Sequence, residues 1–331
     1  MVSNGISGAR PVPGCAAPPV NAGGAWDGGS TPAAQGGRLL RIDPASNRVT
    51  DSVPVGDGPA AVAAGSGRVW VASYRDGTLW RLDPSTESVT KIPAFGRPYA
   101  LTIYNGSAYV AALGPAQFAG NVSKFDAVTG GRVGGIGIFA CSVAGGAYGV
   151  WVAGCPNVQQ LGAEGSSQNP EVRATVVIPF ARGLTASNFR EALAGTAVGE
   201  GGVWVVGDAA DRRLWRIDPV RHVIAATIDL GFPPGGVAAG GGAVWVTDQL
   251  GDRLVRIDPA TNRVDGSIPV GRGAAGVTFG DGSVWVAGAI AHSVTRVDPV
   301  TNRVVATIPV AASPEAVAMG EGSLWAVGDG R

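Results

Sequence analysis

The chain has 331 residues, of which 25 are Lys or Arg and 25 are Asp or Glu, so its formal net charge is zero. A neutral chain without a basic run is a poor partner for nucleic acid, because phosphate-backbone binding depends on clustered positive charge. We find no apolar stretch long enough to predict a membrane span, and the 53 glycines, without a collagen triplet, indicate many tight turns.

A segment rich in Pro, Gly and Ala forms residues 1–35. It predicts a tail outside the folded part, so we assign the domain to residues 36–331. The segment has neither the basic start nor the apolar core of a signal peptide. Cys15 lies in this segment and is interpreted as a tail cysteine without function, with a remnant of a lipid-attachment site as the alternative.

A short aromatic strand that follows a tight turn recurs along the rest of the chain. Its first copy reads GRVWVAS at residues 67–73 and its last reads GSLWAVG at residues 322–328. The central aromatics of the copies are Trp70, Tyr109, Trp151, Trp204, Trp245, Trp285 and Trp325. A repeat of about 40 residues is typical of β-propellers, in which each repeat forms one blade.

A second motif, a strand, an Asp-Pro turn and a further strand, alternates with the first. It reads RIDPASNRVTDSVPVG from Arg41 and RIDPATNRVDGSIPVG from Arg256, and a degenerate copy ends in EVRATVVIPF at residues 171–180. Each repeat therefore predicts four strands, which we call a (the apolar run after a Pro or Gly turn), b (VWVA), c (LxRID) and d (VxxxIPV). Strands a and b are apolar on both faces, as expected for stacked blades.

The two ends of the repeat array carry complementary half-repeats. Residues 38–56 supply strands c and d without a and b, whereas residues 314–328 supply a and b without c and d. Joining them closes the ring and hides strand edges that would otherwise pair with other chains. The sequence thus predicts an all-β, seven-bladed β-propeller with four-stranded antiparallel blades.

The repeated acids and aromatics each have two interpretations. The Asp-Pro carboxylates could be metal ligands, but a side chain that recurs in nearly every blade is typical of a turn, in which Asp accepts backbone N–H bonds and Pro fixes φ. The aromatics could form a stacking platform, but large rings within apolar strands favour wedges between blades. We prefer the structural interpretation of both sets. The acids are Asp43, Asp83, Asp218, Asp258 and Asp298.

Two cysteines flank one a–b hairpin, in FACSVAGGAYGVWVAGC at residues 139–155. With the hairpin turn near residues 146–148, Cys141 and Cys155 fall nearly opposite each other and within disulfide reach. We predict a disulfide between them, with two buried free thiols as the alternative. A disulfide would indicate an extracytoplasmic or secreted protein.

The two motifs together resemble those of YVTN/YncE-type and streptogramin (virginiamycin B) lyase-like propellers, over residues 38–331. In streptogramin lyases, a His on the turn before strand a works with acids near the end of strand b and a magnesium ion. None of the equivalent turn positions here is His: they are about Ala60, Tyr99, Cys141, Gly235, Ala275 and Glu315, with a seventh near Leu193 whose alignment is unclear. Asp248 alone falls on an acid position at the end of a strand b. The resemblance therefore implies the fold, and the lyase site is not reproduced.

One rim of the predicted ring carries the d–a and b–c loops, and propeller ligands usually bind where such loops converge. His292 lies on this rim, whereas His222 replaces Asn in a c–d turn on the opposite rim. We predict that a ligand binds at the channel mouth of the first rim. The residues expected nearest to it are Arg97, Tyr99, Asp248, Arg272, His292 and Glu315. Their mixed charge favours a small polar or zwitterionic ligand.

One repeat is lengthened by two segments, an irregular insertion at Pro156–Pro170 and the stretch Ala181–Ala194. Such extra loops on a repeat fold often mark a working face or a contact surface.

The absence of the lyase residues favours a non-catalytic ligand-binding or protein-interaction propeller. We expect a monomer outside the cytoplasm that needs no cofactor and binds a small polar ligand or a protein. The alternative is a lyase or hydrolase of a small natural product that uses Asp248 and His292, with or without magnesium. A purely structural assembly module is a third possibility.

Overall fold

The computed structural model describes residues 36–114, 120–154, 156–162, 169–179 and 193–330. These residues form seven antiparallel four-stranded sheets arranged as a ring, so the predicted seven-bladed β-propeller is confirmed. Within the described ranges no helix is long and apolar enough to cross a bilayer. The predicted tail, with Cys15, lies outside the described residues.

Each blade has the predicted strand order a, b, c, d from the axis outward. Blade 1 comprises β3 (Pro59–Gly65), β4 (Arg68–Ser73), β5 (Thr78–Leu82) and β6 (Val89–Pro93). Blade 2 comprises β7 (Arg97–Tyr104), β8 (Ser107–Leu113), β9 (Gly120–Asp126) and β10 (Arg132–Ile136). Blade 3 comprises β11 (Ser142–Gly146), β12 (Gly149–Ala153), β13 (Asn157–Gly162) and β14 (Glu171–Val177). Blade 4 comprises β15 (Leu193–Gly199), β16 (Gly202–Gly207), β17 (Arg213–Asp218) and β18 (Val223–Asp229). Blade 5 comprises β19 (Pro234–Gly240), β20 (Ala243–Asp248), β21 (Arg253–Asp258) and β22 (Arg263–Pro269). Blade 6 comprises β23 (Ala274–Gly280), β24 (Ser283–Gly288), β25 (Ser293–Asp298) and β26 (Arg303–Pro309).

Blade 7 is the closing blade, and it joins the two ends of the ring as predicted. Its strands are β27 (Ala312–Gly320), β28 (Ser323–Gly330), β1 (Arg38–Asp43) and β2 (Arg48–Pro54). β1 pairs antiparallel with β28, with Leu39 opposite Val327. Because this pairing is the only β-ladder in the described residues that joins the two ends of the ring, its hydrogen bonds hold the ring closed.

Part of the irregular insertion predicted at Pro156–Pro170 is in fact a strand. β13 reads NVQQLG and pairs with β12 on one side and β14 on the other, so it is strand c of blade 3. The prediction was wrong because this copy lacks the Arg and the Asp-Pro turn, although Val158 and Leu161 keep the buried positions of a strand c.

The strands a contact one another around the axis and consist mostly of small residues. Their close approach explains the glycine that ends most of them. At Gly320, for example, an added Cβ would lie 2.8 Å from Cβ and 3.0 Å from the carbonyl oxygen of Ala64 on β3. Glycine here allows blade 7 to pack directly against blade 1.

The aromatics of strand b fill the space between blades. The seven rings are at most 1 % exposed, which supports the wedge interpretation and leaves no open face for stacking a ligand. In four blades the indole N–H donates to the carbonyl of the last residue of strand a, as Trp325 does to Gly320 at 3.0 Å. The strand-b rings are therefore satisfied parts of the core.

Arginines on strand c link some blades to their neighbours. Arg216 lies over the Trp204 ring, with Cζ 5.1 Å from the centroid, and its Nη1 donates to Pro259 O and Asn262 Oδ1 of the next blade at 2.5 and 3.1 Å. Arg296 makes the same contacts with the Asp-Pro turn of blade 7. We call this arrangement the Arg latch.

Blades 3 and 5 are two of the blades that do not form the Arg latch with the next blade. In blade 3, Gln160 takes the Arg position, and its Oε1 lies 3.0 Å from Nε2 of His222, which takes the Asn position in blade 4. In blade 5, Asp265 pairs with Nη1 of Arg256. The Nε of Arg256 and the Oδ1 of Asn302 are then buried without a partner among the described residues.

The Asp-Pro carboxylates form the turns, as predicted. Asp258 accepts from Ala260 N at 2.8 Å and from the Thr261 hydroxyl at 2.9 Å, and these bonds lower its pKa. Equivalent bonds lower the pKa of Asp43, Asp83, Asp218 and Asp298. The turns occupy the rim that we call the Asp-Pro rim, and the opposite rim is the d–a rim.

Candidate functional site

A β-bulge lies at the start of strand a in most blades, on the d–a rim. The register with strand b shifts between Pro59 and Ala61, between Pro98 and Ala100, and between Pro314 and Ala316. A bulge leaves one residue outside the ladder and re-aims its side chain, which is why bulges are frequent near binding sites. The described side chains at these bulges are Ala60, Tyr99, Gly235, Gly236, Ala275, Gly276 and Glu315. Glu315 is the charged member of this set.

The carboxyl group of Glu315 lies in an unfavourable setting for a charge. Burial raises its pKa, the charge of Asp329 raises it further, and Arg75 lowers it, with the result that the pKa is about 7. A carboxyl that titrates near neutral pH is typical of a functional group. A purely structural role does not require a charge to be buried where its surroundings oppose ionisation.

Arg75 lies between two aspartates on the same rim. Its Nη1 is 3.2 Å from Asp57 Oδ1 and 3.2 Å from Asp329 Oδ2. Burial alone would lower the pKa of Arg75, but Asp329 and Asp57 outweigh burial and raise it. We call Asp57, Arg75, Glu315 and Asp329 the seam cluster, because they come from both sides of the contact between blade 7 and blade 1.

A buried hydroxyl faces the same contact. Val69 and Val71 of β4 pack against Trp325 and Val327 of β28. Because side chains alternate along a strand, Ser73 and Asp329 project from these strands toward the same interface, at its d–a end. Ser73 is 0 % exposed, and neither its Oγ nor Asp329 Oδ1 has a hydrogen-bond partner among the described residues.

Arg97 and Tyr99 extend this region toward blade 2. The exposed Arg97 lies over the ring of Tyr74, with Cζ 5.6 Å from the centroid. Tyr99 is buried and its hydroxyl donates to the carbonyl of Ala140. Tyr74 is next to Arg75 in the chain and packs in the same cluster as Tyr99 and Ala60. Three of the predicted residues, Glu315, Arg97 and Tyr99, thus lie along one arc of the rim, from blade 7 to blade 2.

Asp248 lies elsewhere and has a role in the fold. It is 2 % exposed and accepts from Leu250 N at 3.2 Å, Gly251 N at 2.9 Å and Arg253 Nε at 2.8 Å. These bonds close the b–c loop of blade 5. The described contacts of Asp248 do not include the seam cluster, so its predicted ligand contact stays a prediction.

Arg272 and His292 lie at the rim of blade 6. Arg272 is exposed, and its carbonyl accepts from Ala291 N at 3.0 Å. His292 Nδ1 is 3.0 Å from the carbonyl oxygen of Ala312, so Nδ1 carries the proton. His292 also lines a groove of about 370 Å³ between blades 5 and 6, together with Pro269, Thr295, Val304 and Pro309 among others. No described contact joins His292 to Asp248 or to the seam cluster.

Several sequence predictions cannot be placed fully. Cys141 lies just before β11, and its N–H donates to the carbonyl of Ala153 at 2.6 Å, but Cys155 lies outside the described residues, so the disulfide stays a prediction. Residues 163–168 and 180–192 of the two long segments are also outside them.

Within the part of the chain that is described, no three His, Cys, Asp or Glu residues lie together as a metal site would require.

Sequence reasoning missed Asp57 and Asp329. Both occur in a GDG tripeptide on the d–a rim, Asp57 in a d–a loop and Asp329 one residue beyond the expected acid position at the end of strand b. A third GDG at residues 280–282 lies in an a–b turn instead, so the tripeptide alone does not mark the site.

The sequence matches no protein-family model and no curated protein. Solved structures that share the fold include hydrazine synthase of Kuenenia stuttgartiensis, with a TM-score of 0.65 at 15% identity over 79% of this chain and 89% of that chain. Apo AztD of Citrobacter koseri gives 0.56 at 13% identity over 88% and 99%. A functionally unknown protein of Desulfotomaculum acetoxidans gives 0.63 at 10% identity over 82% and 95%. Likeness at these identities shows the fold alone, and propellers host many functions.

Proposed function

We propose that this protein is a non-catalytic binding propeller that holds a small polar ligand at the d–a rim, on the seam cluster. The observation that carries the proposal is the position of Glu315. Its carboxyl sits on a bulge at the start of an innermost strand, next to Asp329, where burial makes its charge costly. Stability alone would favour a neutral side chain at this place, so its presence favours a role in binding.

The surrounding groups fit such a role. Arg75, Asp57 and Asp329 are only partly exposed, with side-chain exposures of 36%, 40% and 33%. They can therefore contact a ligand while holding one another in place. Because the cluster needs both blade 7 and blade 1, ligand binding should also strengthen the contact between these two blades.

A lyase or hydrolase is the second candidate, and one observation favours it. Glu315 occupies the turn position that carries the catalytic His in streptogramin lyases, and a pKa of about 7 suits a general acid or base. Asp248 and His292 support this candidate less, because their polar atoms contact the fold's own backbone.

We further propose that the protein is an extracytoplasmic or secreted monomer. The predicted Cys141–Cys155 disulfide supports the compartment, and ring closure within one chain supports the monomer. Intact mass should increase by two hydrogens on reduction of the denatured protein. Labelling of both thiols in unreduced, denatured protein would contradict the disulfide, and light scattering at twice the chain mass would contradict the monomer.

A ligand screen on matched variants tests the proposed site. Small polar compounds that raise the melting temperature of the wild type should bind at least tenfold more weakly to Arg75→Gln and Glu315→Gln. Arg221→Gln is the matched control, because Arg221 is an exposed arginine on the Asp-Pro rim. Equal loss in the control, or no loss in the two seam variants, would refute the site. Chemical conversion of a bound compound that stops in Glu315→Gln would favour the enzyme.

A further inference from the structure

We infer that the seam cluster recognises the ammonium group of a small organic amine. This inference rests on the proposed function and names the chemical class of its ligand. It depends on the charge balance of the cluster, on acceptor atoms that lack donors, and on the pairing of both aspartates with Arg75.

The charge balance favours a cation. Asp57, Asp329 and an ionised Glu315 carry three negative charges, and Arg75 carries one positive charge, which leaves two in excess. The neighbouring strands β3 and β23 contribute no titratable side chain. The other charged groups nearby are Asp76, which follows Arg75 and accepts from Thr78, and two exposed arginines, Arg97 over the ring of Tyr74 and Arg272 before β23.

The free acceptors match the donors of an ammonium group. Arg75 uses one oxygen of each aspartate, Asp57 Oδ1 and Asp329 Oδ2. Asp329 Oδ1 and Ser73 Oγ are buried without a partner in the part of the chain that is described, and the Glu315 carboxyl adds a third acceptor. A primary ammonium carries three N–H donors on one compact centre, so it can satisfy three such atoms at once.

A divalent metal fits this site less well. A metal site built entirely by the protein gathers several carboxylate, imidazole or thiolate ligands around one point, and no group of three or more His, Cys, Asp or Glu that could hold a metal ion occurs among the described residues. One oxygen each of Asp57 and Asp329 is instead already paired with Nη1 of Arg75. An ammonium group needs only hydrogen-bond acceptors, the Ser73 hydroxyl included, and no closed coordination sphere.

The ionisation of Glu315 gives the inference a measurable signature. An ammonium ligand favours the ionised carboxylate, so binding lowers the pKa of Glu315 from about 7 and releases a proton. Glu315 is mostly protonated at pH 6 and mostly ionised at pH 8. Affinity for an ammonium should therefore rise about tenfold between these two pH values.

The test uses three probes of similar shape: butylammonium, the neutral 1-pentanol and the anionic valerate. Dissociation constants are measured by NMR titration of the whole chain at pH 6 and pH 8. We expect butylammonium to bind most tightly and about tenfold more tightly at pH 8 than at pH 6. Glu315→Gln should abolish this pH dependence, and Ser73→Ala should weaken binding severalfold. Glu171→Gln, which removes an exposed carboxylate from β14, is the control and should change neither.

The outcomes separate this inference from the proposed function. If 1-pentanol or valerate binds as tightly as butylammonium and loses affinity in Glu315→Gln or Arg75→Gln, the ammonium inference is wrong and the site stands. If no probe depends on the seam cluster, both are wrong. Butylammonium binding that is independent of pH would also overturn the inference.

Discussion

Replacing Glu315 with glutamine should stabilise the folded protein at neutral pH, although it should impair binding. Glutamine has nearly the same shape as glutamate but carries no charge that must be desolvated. In the folded chain, burial and Asp329 raise the pKa of Glu315 from 4.5 to about 7. The unfolded chain retains the ordinary value, so the two states bind different numbers of protons between these pH values.

The sign and size of the effect follow from proton linkage. Between pH 4.5 and 7 the folded state binds more protons at Glu315 than the unfolded state, so stability falls as pH rises through this window and then levels off. A full shift of this size corresponds to about 3 kcal/mol, and partial solvation reduces it to about 1–3 kcal/mol. Glu315→Gln should equal the wild type near pH 4 and exceed it by this amount above pH 7.

Urea unfolding, followed by tryptophan fluorescence from pH 4 to 8.5, measures the difference directly, because urea is uncharged and does not screen the Glu315 charge. Other groups titrate as well; the lowered pKa of Asp258, for example, costs stability as pH falls, but this loss is common to both proteins and cancels. Glu171→Gln serves as the control for removing an exposed carboxylate. Parallel curves for wild type and Glu315→Gln would refute the argument that Glu315 is held against its preferred ionisation.

Other positions give further expectations. Asp265→Ala should release Arg256 to form the Arg latch with Asn302. A thermal melt should then show an unchanged free energy of unfolding or a gain of about 1 kcal/mol, and a loss above about 1 kcal/mol would contradict the latch. Asp258→Ala should lower the free energy of unfolding by about 1 kcal/mol, because the turn loses the hydrogen bonds that Asp258 accepts, and it should leave ligand affinity unchanged. Weakened binding at unchanged stability would show that the turn interpretation is wrong. Gly328→Ala should destabilise the closing blade by more than about 2 kcal/mol, because its Cβ would overlap the backbone of the facing strand; a wild-type denaturation midpoint would contradict this packing.

The fold could be predicted because its determinants repeat. Each blade restates the same turn, aromatic and Asp-Pro signals, so errors in one copy are corrected by the others. The failure at β13 shows the limit of this reasoning. There Gln160 replaces the usual Arg and is matched by His222 on the next blade, a compensation between residues far apart in sequence. A single copy that loses its local signals can be recognised only from the partner that it contacts.

The site was harder to predict, since it depends on where loops meet rather than on a motif. Glu315 and Arg97 were predicted because they lie on turns that enter strand a, the innermost strand of a blade, and such turns point toward the axis. Asp329 was missed because it lies one residue past the expected position, and its charge matters only next to Arg75 of another blade. Asp248, which the resemblance to the lyases singled out, closes its own b–c loop, a role that its position in the repeat did not indicate.

A crystal structure of the wild type with an ammonium probe such as butylammonium tests the central claim most directly. We predict that the nitrogen lies within hydrogen-bond distance of Glu315 and Asp329, on the d–a rim between blade 7 and blade 1. A probe bound on the Asp-Pro rim, or in the groove beside His292, would contradict the assignment of this rim as the binding site.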